Sequence, residues 1–110
     1  MKAKSTSALR RRRKTLIKKL PPLEAVLRGS LIERYKRCGK PGCKCAQTRG
    51  HGPKYYLSVS KPKQKPEKDY IPLDYQAQAA KYIENFRQIK TILEELCEIN
   101  RELIRRREKL

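Results

Sequence analysis

Lys54-Tyr55-Tyr56-Leu57-Ser58-Val59-Ser60 reads as a β-strand, because aromatic and β-branched side chains suit a pleated, half-buried surface. Upstream, Ser30-Leu31-Ile32-Glu33-Arg34-Tyr35-Lys36-Arg37 reads as a second strand. Its alternation puts Leu31, Glu33, Tyr35 and Arg37 on one face and Ile32, Arg34 and Lys36 on the other. Downstream, residues 68–73 read as a third strand, which Pro72 confines to an edge or ends early. The loop 61–67 between the last two strands is basic, proline-punctuated and too polar for a core. Gly29 punctuates the entry to the first strand.

Beyond the strands, residues 74–110 contain no Pro and no Gly. Asp74 is the expected N-cap. The helix predicted there runs to 37 residues, about 55 Å. Tyr75, Ala79, Tyr82, Phe86, Ile89, Leu93, Leu96, Asn100, Leu103, Arg107 and Leu110 follow at alternating spacings of 4 and 3, a heptad seam. Phe86, Ile89, Leu93, Leu96, Asn100 and Leu103 form the expected dimer seam, with Asn100 as a register-fixing polar residue. The competing reading packs this stripe on the sheet and on an N-terminal helix of the same chain. That helix is predicted over 9–20, with Leu9, Leu16, Ile17 and Leu20 near one face and Pro21-Pro22 ending it. Residues 1–8 are polar and read as disordered. The expected fold is therefore α+β: a small three-stranded antiparallel sheet, a Cys/His zinc-like knuckle, a short basic N-terminal helix and a long C-terminal helix. The divisions fall at 1–22, 23–73 and 74–110.

The knuckle is Cys38-Gly39-Lys40-Pro41-Gly42-Cys43-Lys44-Cys45, followed by Gly50-His51-Gly52-Pro53. The glycines and proline supply tight turns. Three thiolates and an imidazole make a tetrahedral set suited to Zn2+, so Cys38, Cys43, Cys45 and His51 are the candidate metal ligands. Two alternatives stay open: an iron–sulfur cluster needing a further ligand, and reduced thiols in a turn with no metal. Cys97 reads as a buried apolar residue of the helix. It is a fallback ligand only if His51 points away.

With 29 Lys and Arg against 11 Asp and Glu, the net charge is +18 over 110 residues. A chain so charged seeks a polyanion. The length allows one small domain with extensions. No apolar run approaches the roughly 20 residues of a membrane helix, and no apolar stretch follows the basic N-terminus as in a secretory signal. A cytoplasmic protein with no membrane partner is expected, its clustered cysteines suiting a reducing compartment. The candidate phosphate contacts are Arg10, Arg11, Arg12, Arg13 and Lys14; Arg34, Lys36, Arg37, Lys40, Lys44, Arg49 and Lys54; and Lys63 and Lys65 of the hairpin loop. Tyr55 is the candidate stacking residue, although Tyr55 and Tyr56 face opposite ways and one of them is expected to be buried. No paired carboxylates outside the helix, no Gly-rich phosphate loop and no Ser/His/Asp set occur, so no catalytic residue is assigned and no enzyme is expected. A redox role for Cys43-Lys44-Cys45 is a minor alternative.

Leu27-Arg28-Gly29-Ser30-Leu31, the C-G-K-P-x-C-x-C run from Cys38 to Cys45, Gly50-His51-Gly52-Pro53 and Tyr55-Tyr56-Leu57-Ser58 together resemble a family of small basic prokaryotic proteins of uncharacterised function. The resemblance spans residues 27–100. In element order alone, a sheet backed by a helix is similar to the DNA-binding arm domains of tyrosine integrases, which is no statement of function. The expected function is nucleic-acid binding, DNA before RNA, tied to mobile elements or transcription, with the sheet and knuckle on phosphates and the helix dimerising. The alternatives are an assembly subunit acting through the heptad helix, and an RNA-binding protein.

Overall fold

The structure is a computed structural model that describes residues 3–36 and 51–110, with the backbone alone at Lys36, His51 and Gly52. Its elements are α1 (Thr6–Lys18), β1 (Ser30–Lys36), β2 (His51–Val59), β3 (Glu67–Ile71), a 3-10 turn (Leu73–Tyr75) and α2 (Gln76–Arg105). The fold is α+β, with a three-stranded antiparallel sheet in the order β1-β2-β3 and a long C-terminal helix. The knuckle cysteines Cys38, Cys43 and Cys45 lie outside the described residues. Two compact units form, residues 1–26 with 84–110, and residues 27–83. The divisions expected at 22/23 and 73/74 differ because the long helix contributes its first turns to one unit and the rest to the other.

In the first unit, α1 begins three residues earlier than expected. Ser5 caps it, its hydroxyl accepting the Ala8 N–H at 3.1 Å, so the polar start of the chain is helix initiation from Ser5 on. The last turn tightens, with Lys19 N–H donating to the Leu16 carbonyl at 3.1 Å, before Pro21-Pro22. α1 lies antiparallel on α2: Thr6 meets Arg106, Arg13 meets Asn100, and Gln88 reaches the carbonyl of Lys19. Leu9, Leu16, Ile92, Ile99 and Leu103 form the core, with Leu20 and Leu96 against it. Ile17, expected on this face, is 54% exposed.

The row that α2 buries is offset from the expected seam. Asn85, Ile89, Ile92, Ile99 and Leu103 are buried and Leu96 is partly so, at spacings of 4 and 3. This row shares Ile89, Leu96 and Leu103 with the expected one. It takes Ile92 and Ile99 in place of Leu93 and Asn100, and leaves Leu93 51% exposed. The physical reason is plain: from Ile89 to Leu103 this row is apolar throughout, whereas the expected row is interrupted there at Asn100. The buried polar residue is instead Asn85, satisfied by donating to the Ala25 carbonyl at 2.9 Å. Asn100 is partly buried and its side-chain oxygen accepts from Arg13 at 2.9 Å.

Both ends of α2 differ from the sequence expectation. Asp74 is not its cap; it sits within the 3-10 turn that precedes the helix. At the other end Arg107 adopts φ 57, with its N–H on the Ile104 carbonyl and the Glu108 N–H on the Leu103 carbonyl, both at 2.9 Å. This is a Schellman cap with arginine where glycine is usual, and it stops the helix short of Leu110. Lys63 is also left-handed, φ 56, in the turn 61–64 closed by Gln64 N–H on the Lys61 carbonyl at 3.4 Å. Lys63→Gly or Arg107→Gly is therefore expected to raise stability by about 0.5–1 kcal/mol, the relief of left-handed strain less the entropy of glycine. Urea denaturation of each variant measures it.

Ion pairs brace the first unit. Arg12 meets Glu95 at 2.6 Å, and Glu102, only 6% exposed, is held by Arg106 at 2.8 Å and Arg105 at 3.0 Å. The hydrogen bond from Arg12 holds the Glu95 carboxyl below the usual carboxylate value, and those from Arg106 and then Arg105 do the same for Glu102. A carboxyl lowered on folding binds its proton first in the unfolded chain. Its stabilisation is full above the unfolded value near 4.5 and fades as pH falls through the folded value. The urea midpoint of the helical signal is expected to fall between neutral pH and about pH 3. Glu102→Gln should flatten that dependence.

Candidate nucleic-acid interface

The second unit presents the candidate site. β1 pairs with β2 as Ser30↔Ser58, Leu31↔Leu57, Ile32↔Tyr56, Glu33↔Tyr55 and Arg34↔Lys54. β2 pairs with β3 as Tyr55↔Ile71, Tyr56↔Tyr70, Leu57↔Asp69, Ser58↔Lys68 and Val59↔Glu67. Residues opposite one another share a face. One face therefore carries Leu31, Glu33, Tyr55, Leu57, Val59, Glu67, Asp69 and Ile71. The other carries Ser30, Ile32, Arg34, Lys54, Tyr56, Ser58, Lys68 and Tyr70.

The two faces separate the charges. Among these paired residues every carboxylate lies on the first face and every cation on the second. The first face is the covered one. Leu57 is buried, and Ile71 lines an apolar cavity of about 400 Å3 with Leu27, Pro72, Tyr75, Ala79 and Tyr82. Close packing also explains Gly29. Its φ of 135 is closed to most side chains, and a Cβ there would meet the Ser58 carbonyl oxygen at 2.7 Å and Leu57 Cδ1 at 2.8 Å. The second face is open. Arg34, Lys54 and Lys68 are exposed, and the Tyr56 and Tyr70 rings meet edge to face, centroids 5.8 Å apart at 67°.

Tyr55, the candidate stacking residue, does not lie on the basic face. Tyr55 shares the covered face with Leu57, whereas Tyr56 shares the basic face with Tyr70. Strand alternation says that two adjacent tyrosines diverge, but not which of them the helix covers. Tyr70 is not among the contacts expected from the sequence. Its signal is register: the hairpin 61–66 sets it opposite Tyr56.

The remaining candidates fall in three places. In α1, Arg10 donates to the Lys109 carbonyl at 2.7 Å, Arg12 pairs with Glu95 and Arg13 donates to Asn100, while Arg11 and Lys14 are exposed. Three of the five residues of the basic run thus bind within the helical unit. In the hairpin loop, Lys63 and Lys65 are exposed. Arg37, Lys40, Lys44 and Arg49 lie with the three cysteines outside the described residues.

β2 begins at His51, three residues before the expected start, and its first residue pairs with Lys36. The register shifts between Arg34 and Lys36, so Gly52-Pro53 is accommodated at a bulge. Pro53 is tolerated in the middle strand because β3 ends its pairing at Tyr55. The backbone of His51, paired with Lys36, thus directly follows in sequence the residues 37–50 that carry Cys38, Cys43 and Cys45. Among the described residues no group of three or more His, Cys, Asp or Glu is placed to hold a metal. Cys97, expected as a buried apolar residue, is exposed. No described helix is long and apolar enough to cross a membrane.

No curated protein and no solved structure matched this chain. A domain of unknown function, DUF6788, matches residues 6–81, from the first residue of α1 into α2. That span begins earlier and ends sooner than the resemblance over 27–100, and it covers both α1 and the whole sheet. The chain belongs to the DUF6788 family.

Proposed function

We propose that this protein binds nucleic acid, DNA in preference to RNA, through the open face of its sheet. The observation that supports this reading is the division of charge: Arg34, Lys54 and Lys68 on a face with two tyrosines and no carboxylate, and Glu33, Glu67 and Asp69 on the other. Phosphate contacts position such a protein, and small polar residues such as Ser30 and Ser58 let a backbone lie close. From Arg34 to Lys54 the chain holds seven Lys and Arg and no acidic residue. In this reading Cys38, Cys43, Cys45 and His51 hold Zn2+. No catalytic step is assigned.

Binding of this kind releases counterions, with a slope of about −0.9 in log affinity against log salt for each phosphate neutralised on duplex DNA. Three cations on the face set an expected slope of about −3 or steeper. Fluorescence anisotropy of a labelled oligonucleotide across a salt series measures it. Absence of binding to both DNA and RNA at low salt would end the proposal.

A second reading has its own observation. Leu93, Cys97 and Ile104 stay exposed on α2, with Leu93 at 51% and Ile104 at 49%. A second copy seated there would make the protein a homodimer or assembly subunit. Sedimentation of the full chain and of Leu93→Glu tests it: a monomer in both cases rules it out.

A further inference from the structure

We infer that the open face holds single-stranded DNA, with an unpaired base stacked on Tyr70. The inference rests on the reading of that face as a nucleic-acid interface and names the form of the ligand. Across the sheet the face is built in three rows: Arg34 and Lys54; then Ile32, Tyr56 and Tyr70; then Ser30, Ser58 and Lys68. Successive rows are two residues apart along a strand, about 7 Å. An apolar, aromatic row is thus flanked on both sides by cations. That order suits a single strand, whose bases have free π-faces and whose phosphates lie to either side. It suits a duplex poorly. Bases in a duplex cover one another's faces and offer only their edges, which are read by fork-shaped or amide side chains, and the central row has none.

Tyr70 is the stacking residue because it is accessible and held. It leaves 56% of its surface to solvent on the edge strand β3. The edge-to-face contact with Tyr56 orients its ring before any ligand arrives. A preset tyrosine loses little freedom on binding. The occupant follows the reading of this face given above, DNA before RNA.

The test uses the full chain and a labelled 12-nucleotide oligothymidine, its duplex with oligoadenine, and the matching oligouridine, at low salt. Single-stranded DNA is expected to bind at least about tenfold more tightly than the duplex. Tyr70→Leu, which keeps bulk but removes the π-face, should lose about tenfold on the single strand and little on the duplex. Tyr70→Phe should keep the affinity. Circular dichroism confirms that each variant is folded. Equal or better binding of the duplex or of oligouridine overturns the inference, and so does an equal loss on single strand and duplex in Tyr70→Leu. In each of these cases binding to nucleic acid survives, and better binding of oligouridine would turn that reading from DNA to RNA. Failure to bind all three oligonucleotides overturns both.

Discussion

Ile99→Ala is expected to lower the stability of the helical unit by about 3 kcal/mol, whereas Leu93→Ala should change it by less than about 1 kcal/mol. Ile99 is fully buried among Leu9, Leu16, Ile92 and Leu103, so truncation removes core packing and leaves a cavity. Leu93 is six residues earlier on the same helix and one residue off the buried row, with 51% of its surface in water. Since small domains are stable by only about 5–15 kcal/mol, the first loss would be visible as a marked fall in the denaturation midpoint. The pair distinguishes the two possible seams of α2. Equal losses would mean that the helix buries a wider stripe than the structure shows, and a reversed order would restore the seam through Leu93 and Asn100.

The seam shows how far the sequence could be read and where it became ambiguous. Ile89, Leu96 and Leu103 belong to either row, and Ile92 beside Leu93 offers the helix two apolar choices one residue apart. What decides is the partner. α1 supplies Leu9 and Leu16 seven residues apart and covers the side that holds Ile92 and Ile99. The three strands were legible because short runs with aromatic and β-branched residues stand between Gly- and Pro-bearing segments. The first three residues of β2 were not, since Gly52-Pro53 reads as a turn until a bulge is known to absorb it. The start of α1 was hidden in the same way: Ser5-Thr6-Ser7 looks like a polar tail, yet a serine hydroxyl closing on Ala8 N–H is an N-cap. The basic character of the site could be read from the chain, but its one-sided distribution could not. Glu33 and Arg34, or Lys68 and Asp69, are neighbours in sequence and opposites in the sheet.

That distribution leads to the second large effect. Arg34 and Lys54 sit opposite each other on the open face, both exposed. Their separation from every paired carboxylate leaves a phosphate as the natural counter-charge. Hydrogen bonds to charged groups contribute about 1.5–3 kcal/mol each, so reversing both charges should weaken DNA binding by about a hundredfold or more. A fall in net charge alone would also weaken binding, and a matched control separates the two causes. Arg87 and Lys90 are exposed on α2, in the other unit, and their reversal changes the net charge by the same amount.

The decisive measurement is therefore the affinity for one labelled DNA oligonucleotide, at one salt concentration, of Arg34→Glu/Lys54→Glu beside Arg87→Glu/Lys90→Glu. If the open face of the sheet is the interface, the first pair loses about a hundredfold and the second only a few-fold. Equal losses in the two would show that DNA responds to the overall charge of the chain, and would contradict the assignment of the interface to the sheet.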